Sequence, residues 1–247
     1  QYHPTPENDK WWGKGFTEWV SVAKARPLFR GHKQPHIPAD LGFYDLRIPE
    51  VREQQADLAK IAGIEAFCYW HYWFGNGKRL LEKPINEVLN TGKPDFPFCL
   101  AWANHSWYKK LWDPKVKGKD TLLIEQKYPG IDDYINHFYA MLPAFKDKRY
   151  FKVNGKIFFI IYDALGFEDL ETFISTWRDL ATKNGINGFY FVGRDADSRN
   201  KDKILKRGLD AIYNDDVFNV HHHQSKWKKV LLYIQRNFFK RPTVFQY

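Results

Sequence analysis

Cysteine is scarce: two residues in 247, Cys68 and Cys99, beside a single methionine. Two thiols inside apolar segments make no disulfide framework. They read as buried reduced core residues and suit a reducing compartment. Long apolar runs are lacking too. Nothing approaches the roughly 18 apolar residues of a spanning helix, so no membrane span is expected, and no secretory leader is read at the start. No glycine-rich phosphate loop follows a strand, which weakens a dinucleotide-binding fold. No block of like charge is long enough for a nucleic-acid arm. Metal-ligand spacing is missing as well. His221-His222-His223 are adjacent, and neighbouring histidines on a regular element do not easily ligate one ion. Asp195-Ala196-Asp197 has the Asp-x-Asp form that holds a divalent ion in many sugar-nucleotide transferases, yet helix capping by Asp197 explains it equally well. Neither a metal nor a cofactor is expected.

What the chain has is aromatic surface. Aromatics make up 18% of it, with 10 Trp. Trp and Tyr offer a flat apolar face and a polar tip, suited to stacking on the C–H faces of sugar rings or on bases. The plainer reading of any one of them is core packing. Lys and Arg outnumber Asp and Glu by 38 to 29, a net charge of +9. That excess favours anionic surroundings such as nucleic acid, an anionic membrane face or phosphate-bearing substrates, although a solvated basic surface explains it more simply. The length and the 44% hydrophobic content suit one α/β barrel domain over residues 1–247. The opening on Gln1 and the strand beginning at Thr243-Val244-Phe245 suggest a fragment, lacking a first strand upstream and further structure beyond Tyr247.

Along the chain, strand and helix signals alternate. Residues 1–46 form a long aromatic loop with little periodicity, a type of segment that usually carries function. Thr17 caps a short helix within it. Pro49 opens a helix with Val51, Gln55, Leu58 and Ile61 on one face, closed by Gly63. Ile64 to Phe74 reads as a strand running into an aromatic loop. Leu80 to Leu89 is helical with an irregularity at Pro84. Phe96 to Ala103 is a strand buried on both faces. Lys109 to Lys119 is a polar loop, and Leu122-Leu123-Ile124 a short apolar piece. Asp132 caps a helix that turns Tyr134, Ile135, Phe138, Leu142 and Phe145 inward. Lys156 to Tyr162 is a strand ending at Asp163, and a helix from Leu170 ends at Gly185. Gly188 to Val192 is a strand, Ser198 to Lys206 a basic helix, and Leu209 to Tyr213 a strand ending at Asn214-Asp215-Asp216. Trp227 to Phe239 is a basic amphipathic helix, which packs its apolar stripe on a barrel or, alternatively, lies on an anionic membrane face. The repeated alternation implies a parallel sheet with helices outside, a (β/α)8 barrel trimmed at both ends.

In such a barrel the C-terminal strand ends converge on one pocket. They are His71, Tyr72 and Trp73; Asn104, His105 and Trp107; Asp163; Arg194 and Asp195; and one of Asp215 and Asp216. The first loop adds His3, Trp12, Glu18, Trp19 and Tyr44, and Glu125 sits at the rim or on the surface. Aromatics stack, Asn and His bind hydroxyls, and carboxylates do acid–base work, a combination suited to carbohydrate. Glycosyl transfer in either direction needs a proton moved at the glycosidic oxygen and an opposing carboxylate. Asp163, His105 and Glu18 are the candidates. Asp163 also suits a helix cap, and Glu18 a first helical turn.

Specific motifs sharpen this reading. Tyr2-His3-Pro4-Thr5-Pro6-Glu7-Asn8-Asp9, Trp12-Gly13-Lys14-Gly15-Phe16-Thr17-Glu18-Trp19, Leu28-Phe29-Arg30-Gly31-His32, Asp40-Leu41-Gly42-Phe43-Tyr44-Asp45-Leu46, Lys78-Arg79-Leu80-Leu81-Glu82-Lys83-Pro84, Trp102-Ala103-Asn104 and Leu123-Ile124-Glu125-Gln126 resemble the WbsX-like glycosyltransferase family, itself similar to glycoside hydrolase family 99. The resemblance implies a (β/α)8 barrel acting on polysaccharide, in bacterial lipopolysaccharide O-antigen or capsule biosynthesis. It implies an oligosaccharide or polysaccharide substrate, and a sugar nucleotide if the reaction is transfer. With the charge pattern and the basic helix, the reading is a cytoplasmic protein that binds no nucleic acid, with the inner membrane face as an alternative place. The chain departs from the family at one point. Where the family pattern continues Ala-Asn-Glu-Asn-Trp-Thr, this sequence reads Ala103-Asn104-His105-Ser106-Trp107-Tyr108. Either His105 takes over acid–base work, another carboxylate does, or the protein is a glycan-binding pseudoenzyme.

Overall fold

The computed structural model describes residues 3–27, 29–109, 120–196 and 199–214, together with Trp227, Val230, Leu231, Tyr233, Ile234 and Phe238. Its elements run α1 (Pro6–Trp12), α2 (Glu18–Lys24), α3 (Pro49–Ile61), β1 (Phe67–His71), α4 (Lys83–Thr91), β2 (Phe98–Trp102), β3 (Trp107–Lys109), β4 (Thr121–Ile124), α5 (Ile131–Phe145), β5 (Lys152–Val153), β6 (Lys156–Ile161), α6 (Leu170–Lys183), β7 (Phe189–Asp195), α7 (Lys201–Leu205) and β8 (Ala211–Asn214). The main sheet has the order β1-β2-β6-β7-β8, all parallel, with β5 antiparallel against β6. Each parallel step is made through a helical crossover, as β/α alternation requires. The sheet is open among the described residues, in keeping with an incomplete barrel. Between β2 and α5 the chain makes a small antiparallel hairpin, β3-β4, which stands at the C-terminal end of β2.

One face of the sheet carries the core. Alternate residues Ile157, Phe159 and Ile161 of β6, Phe189 and Phe191 of β7, and Phe98, Leu100 and Trp102 of β2 pack against α5 and α6. Trp177 of α6 is fully buried among Phe145, Phe159, Phe173 and Phe189, and its indole N–H donates to the Tyr134 carbonyl at 3.0 Å. Part of the aromatic excess is therefore core: Trp73, Trp102 and Trp177 are buried here.

Several helices differ in detail from the sequence expectation. The buried stripe of α3 is Arg52, Ala56 and Ala59, while Leu58 and Ile61 are exposed. The two alanines bring the helix close to Phe67 and Phe96, and Arg52 is held by the Leu46 carbonyl and Glu87. Pro84 sits in the first turn of α4, where its missing N–H costs nothing, and causes no irregularity. Gly130, not Asp132, is the N-cap of α5. The first loop holds α1 besides α2, with Thr5 accepting from the Asn8 amide as the cap of α1. Thr17 stands at the N-cap of α2 without a side-chain cap bond. Cys68 is exposed rather than buried, in register beside buried Cys99. Among the described residues no helix is long and apolar enough to cross a membrane. Asp197, Asp215, Asp216, His221 to His223, the loop 110–119, most of the basic 226–241 segment and the strand at Thr243 lie outside the described residues.

Candidate functional site

Opposite the core, the sheet presents a different set of side chains. The register places Trp70, Ala101, Ile160 and Val192 in one lateral row, and Tyr72, Ala103, Tyr162 and Arg194 in the next, at the C-terminal edge. Ala101 and Ala103 are small. Their lack of bulk lets Trp70 of β1 reach across β2 to Tyr162, ring centroids 5.5 Å apart and edge-on. Tyr162 is the hub of this face. His105 tilts against it at 5.1 Å, and the Arg194 guanidinium lies over its ring at 4.4 Å.

Two clefts open on this face. One, of about 600 Å³, is lined by Trp12, Phe16, Glu18, His105, Trp107 and Tyr162 among others. The second, of about 440 Å³, follows the edge of β1 left free among the described residues, reaching from Cys68, Trp70 and Tyr72 on this face round to Phe67 and Tyr69 on the other, and to Arg52 and Gln55 of α3. Glu18 borders both. The walls are aromatic. Trp12 stacks on Phe16, with Lys109 over its ring at 5.4 Å. Trp107, at the start of β3, takes the edges of Tyr72 and Phe74 at 5.0 and 5.3 Å. The hairpin is thus a wall that locks onto the end of β1.

Of the sequence-predicted residues, Glu18, Trp12, Tyr72, His105 and Trp107 line these clefts. Arg194 borders the same face over Tyr162, and most of the others serve elsewhere. His71 and Trp73 share the strand parity of the core face and turn away from the clefts. Buried His71 meets His137 of α5, their Nε2 atoms 2.7 Å apart. Trp73 stacks on the same His137 at 4.6 Å and donates its indole N–H to Asp133. Burial lowers the His71 imidazole to about 3, and His137 well below its ordinary value, so one neutral ring donates to the other. Asn104 is fully buried and acts as a brace. Its Oδ1 accepts from the Asp163 amide at 2.7 Å, and its Nδ2 donates to the Asp163 carbonyl and the Tyr128 hydroxyl. Burial pushes the Tyr128 phenol up, and it donates in turn to the Asn104 carbonyl.

Asp163 accepts from the Gly166 amide at 2.8 Å and caps its own turn; it lines neither cleft. Any Cβ at Gly166 would stand 2.3 Å from the Asp163 carboxylate. Trp19 donates to the Tyr44 carbonyl and packs edge-on to Phe43 and Tyr44, so Trp19 and Tyr44 tie the first loop together. Glu125 is exposed, 3.6 Å from Lys127. His3 is buried in a separate pocket with Arg47, Lys78 and Arg79. Trp70 and Tyr162 escape a search of strand ends that ignores parity. The signal for both was available: each lies an even number of residues from a small or half-buried neighbour on the face that the helices leave uncovered.

Comparison with known proteins bears on this geometry. The family model described as "Glycosyltransferase WbsX" matches residues 1–246. Two relatives, each named "Uncharacterized protein WxcX", come from two strains of Xanthomonas campestris pv. campestris and are 43% identical over 194 residues. Those matches cover 78% of this chain and 27% of each relative, so the chain spans about a quarter of their length. A solved structure described as a "Glycoside hydrolase-like protein" superposes with a TM-score of 0.52 at 15% identity, over 91% of this chain and 69% of its own. The GH99 endo-alpha-mannosidase from Bacteroides thetaiotaomicron matches with a TM-score of 0.46 at 14% identity, over 71% of this chain and 46% of its own.

Proposed function

The chain belongs to the glycosyltransferase WbsX family, and from that premise we propose that it binds an oligosaccharide along the aromatic clefts and makes or breaks a glycosidic bond beside Glu18 and His105, in bacterial surface-polysaccharide biosynthesis. One observation carries the reading: a carboxylate and an imidazole line the same aromatic cleft. Glycosyl transfer needs such a pair, one group to move the proton at the glycosidic oxygen and one to stabilise the charge growing on the ring. The resemblance in sequence puts His105 where it implies a Glu. Imidazole is the side chain suited to carrying a proton near neutrality. Trp70, Trp12 and Tyr162 supply the stacking faces. Asp163 is a positioning group, its backbone held by Asn104 and its carboxylate occupied by a turn.

The test is to incubate the protein with α-mannan oligosaccharides, and separately with sugar nucleotides and an acceptor glycan, and to follow products by mass spectrometry. Shortened chains define hydrolysis, and lengthened chains with nucleotide release define transfer. His105→Ala and Glu18→Gln should each lower turnover at least about 100-fold, as expected for loss of an acid–base group. A second reading follows from the same substitution of His for the family Glu: a glycan-binding protein without turnover. Binding that survives in both variants, with no product from any of them, would establish it in place of the enzyme.

A further inference from the structure

We propose that the pocket around His3, Arg47 and Arg79 is an anion subsite that takes a phosphate or diphosphate group. The pocket, of about 450 Å³, lies beside the β1 cleft, and Leu81 lines both. Four cations border it, Arg47, Lys78, Arg79 and Lys83, against two carboxylates, Glu7 and Glu82. Most of these charges are already spoken for. Lys78 pairs with Glu7 at 2.5 Å, Arg47 with Asp45 at 2.6 Å, and Lys83 lies 3.7 Å from Glu87. Arg79 is different. Its guanidinium donates to the neutral Asn86 side chain at 3.2 Å, and its Nε is buried with no hydrogen-bond partner. His3, 3% exposed, likewise leaves its ring Nδ1 unpartnered.

Both residues line the pocket, and each keeps a buried nitrogen without a hydrogen-bond partner, an unsatisfied polar group that calls for an explanation at this place. A guanidinium with no carboxylate at ion-pair distance is matched by a planar or tetrahedral oxyanion. The backbone points to the same place. Leu81 is held at φ 59°, a left-handed conformation that a branched side chain avoids and that gathers at ligand sites. Because that residue forms the wall shared with the cleft, an anion bound here would be joined to a sugar lying along Trp70 and Tyr72. The subsite stands on its own residues, and only this last step rests on the proposed function.

Calorimetric titration with inorganic pyrophosphate tests the subsite directly. Saturable binding is expected, weakened at least tenfold by Arg79→Met and tightened severalfold by Glu82→Gln, which removes the opposing charge. Trp70→Ala should leave pyrophosphate binding unchanged while abolishing that of a neutral oligosaccharide, which separates failure of the subsite from failure of the cleft. If Arg79→Met does not fold, Lys83→Gln, an exposed position, should still weaken pyrophosphate about threefold. Parallel titrations with a nucleoside diphosphate and with neutral vesicles carrying a diphosphate lipid identify which source supplies the group. No heat with pyrophosphate, equal affinity in the Arg79 and Lys83 variants, or binding of uronate oligomers in place of pyrophosphate would overturn the assignment.

Discussion

His71 and His137 show how one residue position decides between chemistry and structure. His137 is enclosed among Trp73, Trp102, Phe173 and Trp177, with His71 buried against it; the Nε2–Nε2 bond requires the accepting ring to be neutral, and burial keeps the other neutral too. In the unfolded chain both titrate near 6.5; in the fold His71 is lowered to about 3 and His137 well below its ordinary value. The unfolded state therefore binds more protons through that window. The stabilisation is fully present above about pH 6.5 and is lost as the pH falls toward 3. Between pH 7.5 and 5 the loss is about 2 kcal/mol for His71, and His137 adds to it in the same direction. Urea unfolding at the two pH values measures it. The combined His71→Leu and His137→Leu variant should show a much flatter dependence, and an equal loss in that variant would refute the assignment. In sequence, His71 looks like a site residue because it ends a strand beside aromatics. Only its parity with Trp73, which packs against α5, tells it from Trp70 and Tyr72.

Elements were legible where periodicity was strong. β2, β6, α5 and α6 fall where the apolar runs and the 3.6-residue stripes put them, because a buried strand or an amphipathic helix has few other ways to hide that surface. α3 was misread on its face: the apolar Leu58 and Ile61 are outside, and alanines make the contact. Close approach, not hydrophobicity, chose that face, and closeness is a property of the pair that a single helix does not reveal. The same principle sets a test on β7. A Cβ at Gly193 would stand 2.6 Å from Ile204 Cγ2 and 2.9 Å from Leu209 Cδ2, so α7 and the segment that follows it fit only against a strand that is bare at this point. Gly193→Ala should destabilise the fold by about 1–3 kcal/mol through overpacking, read as a lower urea midpoint. An unchanged midpoint would mean that the α7 packing gives way freely.

At the scale of the whole molecule, the sequence announced a parallel α/β sheet and a positive charge, but not how the two are arranged. The β/α alternation implies strand ends that meet in one pocket. The chain instead separates an aromatic face, built on Trp70, Tyr162 and Trp107, from a cationic pocket around Arg79, with Leu81 between them. That partition depends on the turn at Leu81 and on the hairpin β3-β4, neither of which has a periodic signature. It also makes two readings of the net charge of +9 separable. Stacking on a neutral sugar involves no counterions, whereas pairing with phosphate is screened by them. Raising salt from about 50 to about 500 mM should change neutral-oligosaccharide affinity less than about twofold and lower pyrophosphate affinity by about an order of magnitude. If the basic surface served nucleic acid instead, single-stranded oligonucleotides would bind more tightly than either, with log affinity falling steeply and linearly against log salt. A steep slope for the neutral sugar itself would show that charge, not the Trp70–Tyr162 face, holds the glycan. The aromatic groove would then be wall, and the chemistry would have to be sought around Arg79.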